Sequence, residues 1–193
     1  MLICLARFAG EEEMNLIINF SAREKGNCGA IAEFIKKSED MVVHYKNLHT
    51  HRCSDCEYEC MQGKCKYRED DVYALYESFL KYDRIVMIVP MYSGNPSSLY
   101  FSFNERCQDF FMENKEIYDD MLRRIFLIGV YGSRLETPDF VPCLEKWFMD
   151  TSYKNHVLGI ERRPYKQKMK DCILDVEEVR ETVGRFMDRV EEN

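Results

Sequence analysis

The chain has 193 residues, of which 46% are hydrophobic and 32% charged, and a formal net charge of −7. That composition describes a globular domain of ordinary size rather than a disordered or fibrous chain. The acidic balance, with no basic block, argues against nucleic-acid binding, and no apolar run approaches the roughly 18 residues of a membrane span.

In chain order, residues 1–13 read as an N-terminal extension ahead of one domain over 14–193. They have no basic leader before Glu11-Glu12-Glu13, so they do not read as a signal peptide and a cytoplasmic protein is expected. Asn15 to Phe20 is a short apolar run with β-branched residues, the mark of a buried strand. Cys28, Ile31, Ala32 and Ile35 then recur at helical spacing. Met41 to Tyr45 is a second strand, followed by a polar, cysteine-rich loop over 47–68.

Val72, Leu75, Tyr76, Phe79 and Leu80 define a second helix. Asp70 and Asp71 open it, where the helix dipole favours negative charge. Arg84 to Val89 is almost wholly apolar and reads as a central strand. A loop over 90–96 leads into a helix expected over 97–112. Ile125 to Val130 is a fourth strand, Val141, Leu144 and Phe148 mark another helix, and His156 to Ile160 is a fifth strand. Val176, Val179, Val183, Phe186, Met187 and Val190 share one face of the last helix. Trp147 and Phe110-Phe111 read as core or subunit contacts.

Strands alternating with helices imply right-handed crossovers and a doubly wound, five-stranded parallel α/β sheet in the order 2-1-3-4-5. Ligands on such sheets bind beyond the carboxyl ends of the strands, near the switch between strands 1 and 3. Three loops are thereby selected. Ser21-Ala22-Arg23-Glu24-Lys25-Gly26-Asn27-Cys28 combines a hydroxyl and two cations and ends at a helix N-terminus. That suits a phosphate or, equally, a solvated turn capped by Asn27. Pro90-Met91-Tyr92-Ser93-Gly94-Asn95 offers an aromatic ring and backbone amides to a flat heteroaromatic ligand; the plainer alternative packs Tyr92 on the core. Tyr131-Gly132-Ser133 has small residues that allow close backbone approach.

Of nine cysteines, Cys53, Cys56, Cys60 and Cys65 fall in the loop after strand 2 with spacing C-x2-C-x3-C-x4-C. Clustered thiols without a secretion signal point to metal or redox chemistry. Four thiolates suit a [4Fe–4S] cluster or zinc; the further alternative is no metal, with a redox disulfide as one form of it. His49 and His51 are near enough in sequence to substitute at a zinc site. Cys28, at a helix start, is either a reactive thiol or a packing residue. Cys4, Cys107, Cys143 and Cys172 default to buried structural thiols.

These motifs, in this order, resemble the flavodoxin-like NAD(P)H-dependent FMN reductases and, within them, the iron–sulfur flavoproteins. Ser21-Ala22-Arg23 through Gly26-Asn27-Cys28 resembles the family's serine–x–arginine loop ending in glycine–asparagine–threonine. Pro90-Met91-Tyr92 resembles its proline–x–tyrosine loop. Cys53 to Cys65, with Gly63 and Asp70-Asp71, resembles its compact cysteine motif. The resemblance implies FMN with its phosphate at Ser21, Arg23, Gly26, Asn27 and Cys28, its ring against Pro90 to Asn95, and Tyr131, Gly132 and Ser133 on the other side. It also implies NAD(P)H as electron donor, a small-molecule or protein acceptor, and a homodimer or homotetramer.

Four departures stand out. Phe20 replaces a glycine, Ala22 a proline, and Cys28 a threonine, while Cys60 is displaced by one residue. A second expectation is therefore a non-catalytic metal-binding or redox-sensing protein on a flavodoxin-like scaffold that has lost flavin.

Overall fold

A computed structural model describes residues 13–23, 25–132, 139–168 and 170–192; residues 1–12 of the expected extension, and Ser133 of the third loop, lie outside them. The elements run β1 (Asn15–Asn19), α1 (Asn27–Ile35), β2 (Met41–His44), α2 (Asp71–Ser78), β3 (Arg84–Tyr92), β4 (Asn95–Pro96), α3 (Ser98–Asn104), α4 (Cys107–Glu113), α5 (Tyr118–Arg124), β5 (Ile125–Tyr131), α6 (Phe140–Glu145), β6 (Val157–Glu161) and α7 (Glu177–Glu192).

The five long strands are parallel, in the order β2-β1-β3-β5-β6. Counted over the long strands alone, this is the expected 2-1-3-4-5. The addition is β4, a two-residue strand antiparallel to the end of β3. It arises because Ser93 and Gly94 both take positive φ, 49° and 84°. That pair closes a two-residue hairpin, for which glycine is the suitable second residue. The expected open loop over 90–96 is thus strand and hairpin.

Alternation along the strands divides the core into two layers. Leu16, Ile18, Met87, Val89 and Leu127 face α2 through α6, with Tyr76, Phe103, Phe110, Phe140 and Phe148 filling that side. Ile17, Val86, Ile88, Ile128 and Ile160 face α1 and α7, meeting Ile31, Ile35, Val183 and Phe186. Complete burial of each such side chain contributes about 1.5–3 kcal/mol. Phe110 and Phe111 are core residues. Trp147 is partly buried and donates its indole N–H to the Tyr100 hydroxyl at 2.8 Å.

The single helix expected over 97–112 is two helices. The break falls at Glu105 and Arg106, where the Arg106 guanidinium turns inward to Asp70. Helix α5 was not anticipated; it buries only Met121 and Leu122, too few residues to make a periodic signal.

Gly129 and Gly159 are register partners on β5 and β6. A Cβ on Gly129 would stand 2.8 Å from Leu144 Cδ1 and Phe140 Cε1, and one on Gly159 would stand 2.8 Å from Val141 Cγ2. Helix α6 packs this closely only because both positions lack side chains. Gly184, within α7, has nothing within 4 Å of the corresponding point. Gly129→Ala is expected to cost about 1–3 kcal/mol through overpacking, whereas Gly184→Ala gains about 0.5–1 kcal/mol of helix propensity. Thermal melts of the two variants check the opposite signs.

Candidate functional site

The first loop is organised by a residue the sequence reading did not single out. Asn19, at the carboxyl end of β1, is fully buried. Its Oδ1 accepts the Ser21 N–H at 2.9 Å, and its Nδ2 lies 3.2 Å from His44 Nδ1. The amide nitrogen can only donate, so in this contact His44 Nδ1 is the acceptor. The only sequence signal was a polar residue closing an apolar strand. Ser21 is buried too, and its Oγ accepts the Arg23 N–H at 3.2 Å.

The loop ends at α1, whose N-cap is Gly26 rather than Asn27. Among the described residues, no side chain caps that end. Its first-turn N–H groups therefore point outward with the positive end of the helix dipole, as an anion requires. Asn27 uses its Oδ1 elsewhere, accepting the Ile173 N–H at 3.0 Å. Cys28 turns its thiol into the core beneath α1. Burial pushes that thiol up to about 12, against a smaller lowering influence from Arg23. Cys28 is therefore a packing residue, and only its backbone N–H remains available to an anion.

The second loop meets the first. The Tyr92 hydroxyl lies 3.5 Å from Ser21 Oγ. Ser97, also unremarked in the sequence, donates its hydroxyl to Phe20 O at 2.9 Å and its N–H to Pro90 O at 3.1 Å. It also caps α3 by accepting the Tyr100 N–H. One serine thus ties the end of β1 to the β3 hairpin. Met91 and Tyr92 are half-buried, while Ser93, Gly94 and Asn95 are exposed. Phe20, which stands where the resembled family has glycine, is packed among Tyr45, Tyr100 and Phe103.

In the third loop, Tyr131 ends β5, adjacent to β3 through the Pro90–Val130 pairing. Its carbonyl accepts the Arg162 N–H at 2.8 Å, and Gly132 is exposed. Burial, followed by the nearby Glu161 carboxylate, raises the Tyr131 phenol above its ordinary range.

The cysteine loop is anchored apart from these three. Cys53 N–H donates to Glu105 Oε1 at 2.9 Å, and Cys65 N–H to Asp109 Oδ1 at 2.8 Å. Burial raises the Cys53 and Cys60 thiols, and the neighbouring thiols add to the shift. Yet among the described residues no group of three or more His, Cys, Asp or Glu side chains is arranged to hold a metal ion. Glu57 and Tyr58, both at positive φ, and the 3-10 turn Glu59–Gln62 set the path between the thiols, while separate anchors fix the two ends. His49 and His51 contact each other edge to face, and His51 stacks on Tyr67.

The base of this loop is a buried ion pair. Arg106 Nη1 meets Asp70 Oδ2 at 2.6 Å, with both side chains at most 2% exposed. Arg106 also donates to His51 O and Tyr67 O, and Asp70 accepts the N–H groups of His51, Val72 and Tyr73. Burial favours the neutral Asp70 carboxyl, but the Arg106 and backbone hydrogen bonds outweigh it and hold the group below its ordinary value.

The sequence profile of the NADPH-dependent FMN reductases matches residues 15–136. The chain belongs to that family, and its class is that of an NAD(P)H-dependent FMN oxidoreductase. Among solved structures it is similar to the Trp repressor binding protein from Bacillus subtilis, at 14% identity and TM-score 0.58, covering 89% of this chain and 98% of that one. It is also similar to an azoreductase from Bacillus anthracis str. Sterne, at 11% identity and TM-score 0.55, covering 94% and 100%. The apo form of the NADH:FMN oxidoreductase EMOB matches at 11% identity and TM-score 0.51, covering 93% and 88%. At these identities the likeness is one of fold. No curated protein matches in sequence.

Two outcomes are expected. Alkylation with iodoacetamide at about pH 8, followed by peptide mapping, leaves Cys28 unmodified until the protein is unfolded. Thermal melts of wild type and Asp70→Asn against pH test the ion pair. The folded-state Asp70 lies below its unfolded value of about 3.9, so its stabilisation is complete above that pH. It is lost as pH falls through the lowered value. The gap in Tm between the two proteins is accordingly widest near neutrality and closes under acid.

Proposed function

We propose that the three loops form the FMN site of an NAD(P)H-dependent reductase, with the phosphate at the Ser21–Cys28 loop and the ring beside Tyr92. The observation that carries this reading is the 3.5 Å approach of Ser21 Oγ to the Tyr92 hydroxyl. It joins an uncapped helix N-terminus to an aromatic wall at the carboxyl edge of the sheet, where doubly wound folds bind nucleotides.

The residues present fit the group. The first turn of α1 and the Ser21 hydroxyl offer donors to a phosphate, with the exposed Arg23 adding charge. Loss of the family's threonine hydroxyl at Cys28 removes a donor without blocking the site, because the thiol faces the core. Tyr92 supplies a ring face, and Ser93 to Asn95 supply hairpin backbone. Tyr131 and Gly132 border the other side. FMN, when bound, provides hydride acceptance from a nicotinamide and the onward release of electrons. The chain's own contribution is orientation and hydrogen bonding, so no side chain is assigned as acid or base.

The four cysteines do not fit a metal in their present arrangement, and no step of this reading passes through them. Iron, sulfide and zinc assays on anaerobically purified protein test that loop separately. About four irons per chain would make it a [4Fe–4S] site, and one zinc would make it a zinc site. The resemblance also supports a small-molecule or protein electron acceptor and a homodimer or homotetramer, which sedimentation analysis tests.

The expected protein is yellow, with flavin absorbance near about 450 nm, and oxidises NADPH or NADH in the presence of an acceptor. Tyr92→Ala weakens FMN binding roughly tenfold through lost ring contact, while Tyr92→Phe retains most of it. A colourless protein that rejects added FMN would sink the reading in favour of a non-catalytic scaffold.

A further inference from the structure

Beside the loop just described, a cavity of about 540 Å³ opens over the N-terminal half of α1. One wall comes from the first loop, with Arg23 and Lys25. The opposite wall comes from a distant part of the chain, the connection between β6 and α7, which contributes Lys170 and Asp171. None of the sequence motifs pointed to that connection.

The connection is held in place by an ordered set of bonds. Ile173 N–H donates to Asn27 Oδ1 at 3.0 Å across 146 positions. Gln167 Nε2 donates to Cys172 O at 2.7 Å, and Arg162 Nη2 to Lys168 O at 2.8 Å. Lys168 and Asp171 close a turn on each other, with Lys168 N–H on Asp171 Oδ2 at 2.7 Å and Asp171 N–H on Lys168 O at 3.1 Å. That turn presents Lys170 at the cavity.

The charge pattern then favours an anion. Three cationic side chains, Arg23, Lys25 and Lys170, share the lining with two carboxylates. Asp171 is occupied by the Lys168 N–H, and Glu33 stands well down α1 from its first turn. Asn27, having its oxygen engaged, is left with its amide N–H groups to donate. Arg23 lies over the helix start, its Nε 3.8 Å from where a Cβ on Gly26 would stand. Donors and positive charge thus converge from two walls on a space large enough for a phosphate and part of the sugar chain that carries it.

We propose that this cavity is a phosphate-monoester clamp in which Lys170 is a binding residue, and that its occupant is the 5′-phosphate of the flavin. The proposal rests on the flavin reading above and adds the β6–α7 connection to the site. It makes Lys170 a determinant of FMN over riboflavin, since the two ligands differ only in the phosphate.

Flavin fluorescence quenching with FMN and with riboflavin tests it on wild type, Lys170→Ala, Lys170→Glu and Lys168→Glu. The last reverses a neighbouring charge outside the cavity. Lys170→Ala is expected to weaken FMN about tenfold, the loss of one charge-assisted contact, and to leave riboflavin unchanged. Lys170→Glu weakens FMN further, and Lys168→Glu does not. If FMN keeps its affinity while the KM for NADPH rises relative to NADH, the clamp stands and its phosphate is the 2′-phosphate of the nicotinamide cofactor. Unchanged FMN-to-riboflavin and NADPH-to-NADH ratios in both Lys170 variants overturn the clamp, as does an equal loss in Lys168→Glu. Wild-type protein that binds neither flavin overturns the flavin reading instead. Calorimetry with inorganic phosphate then decides the clamp alone: binding lost in Lys170→Glu supports it, and no binding to wild type refutes it.

Discussion

The ion pair between Asp70 and Arg106 decides how the long excursion after β2 returns to the sheet. Two charges withdrawn from water are costly unless every remaining donor and acceptor is matched. Here the carboxylate receives the guanidinium and the backbone N–H groups of His51, Val72 and Tyr73, while the guanidinium reaches two loop carbonyls, and of its nitrogens Nε alone is left buried without a partner among the described residues. The pair therefore does three things at once. It caps α2, separates α3 from α4 at Arg106, and closes the base of the cysteine loop. Removing one partner would leave the other buried and unmatched, a loss of about 3–5 kcal/mol. The base of the polar loop is fixed by this contact, and its two cysteine-bearing ends are held by Glu105 and Asp109.

The same economy of small polar groups builds the carboxyl edge of the sheet, where the flavin is proposed to bind. Asn19 sets the path of the first loop, and Ser97 ties that loop to the β3 hairpin. Neither residue presents an obvious chemical group to a ligand. The buried Asn19 bond is local, two residues long, while the buried Ser97 bond spans 77 positions, and together they hold the Ser21 loop beside the Tyr92 hairpin. The rigidity of the site comes from the sheet and from these ties.

The strands were legible because each is a short apolar run between polar breaks, and their spacing implied the parallel order. The meeting of the first and second loops was legible because topology places both at the carboxyl ends of adjacent strands 1 and 3. The break at Arg106 was not, since Phe103 and Phe110 continue an apolar helical pattern straight through it. The hairpin at Ser93-Gly94 was hidden by Pro90, which reads as a loop residue but here pairs with Val130 in the sheet. Cys28 looked ambiguous in sequence, and only its burial decided its role. The cysteine spacing suggested a metal centre, whereas the placement of the thiols depends on Glu105 and Asp109, which no local pattern connects to them. Lys170 was beyond reach for a similar reason: it stands far along the chain from the motif it joins.

The bond from Ile173 to Asn27 gives the molecule a temporal order as well as a shape. Asn27 leaves the ribosome long before Ile173, and 146 positions separate the two. Contacts of such separation form late, because the loop between them must first be closed. The strands at the centre of the sheet and α1 already have partners among earlier residues. The wall carrying Lys170 does not: its tie to Asn27 is made through Ile173, which follows β6 in the chain. A nascent chain would thus present only one side of the cavity over α1 for much of its synthesis, the side from the first loop, until the residues before α7 emerge.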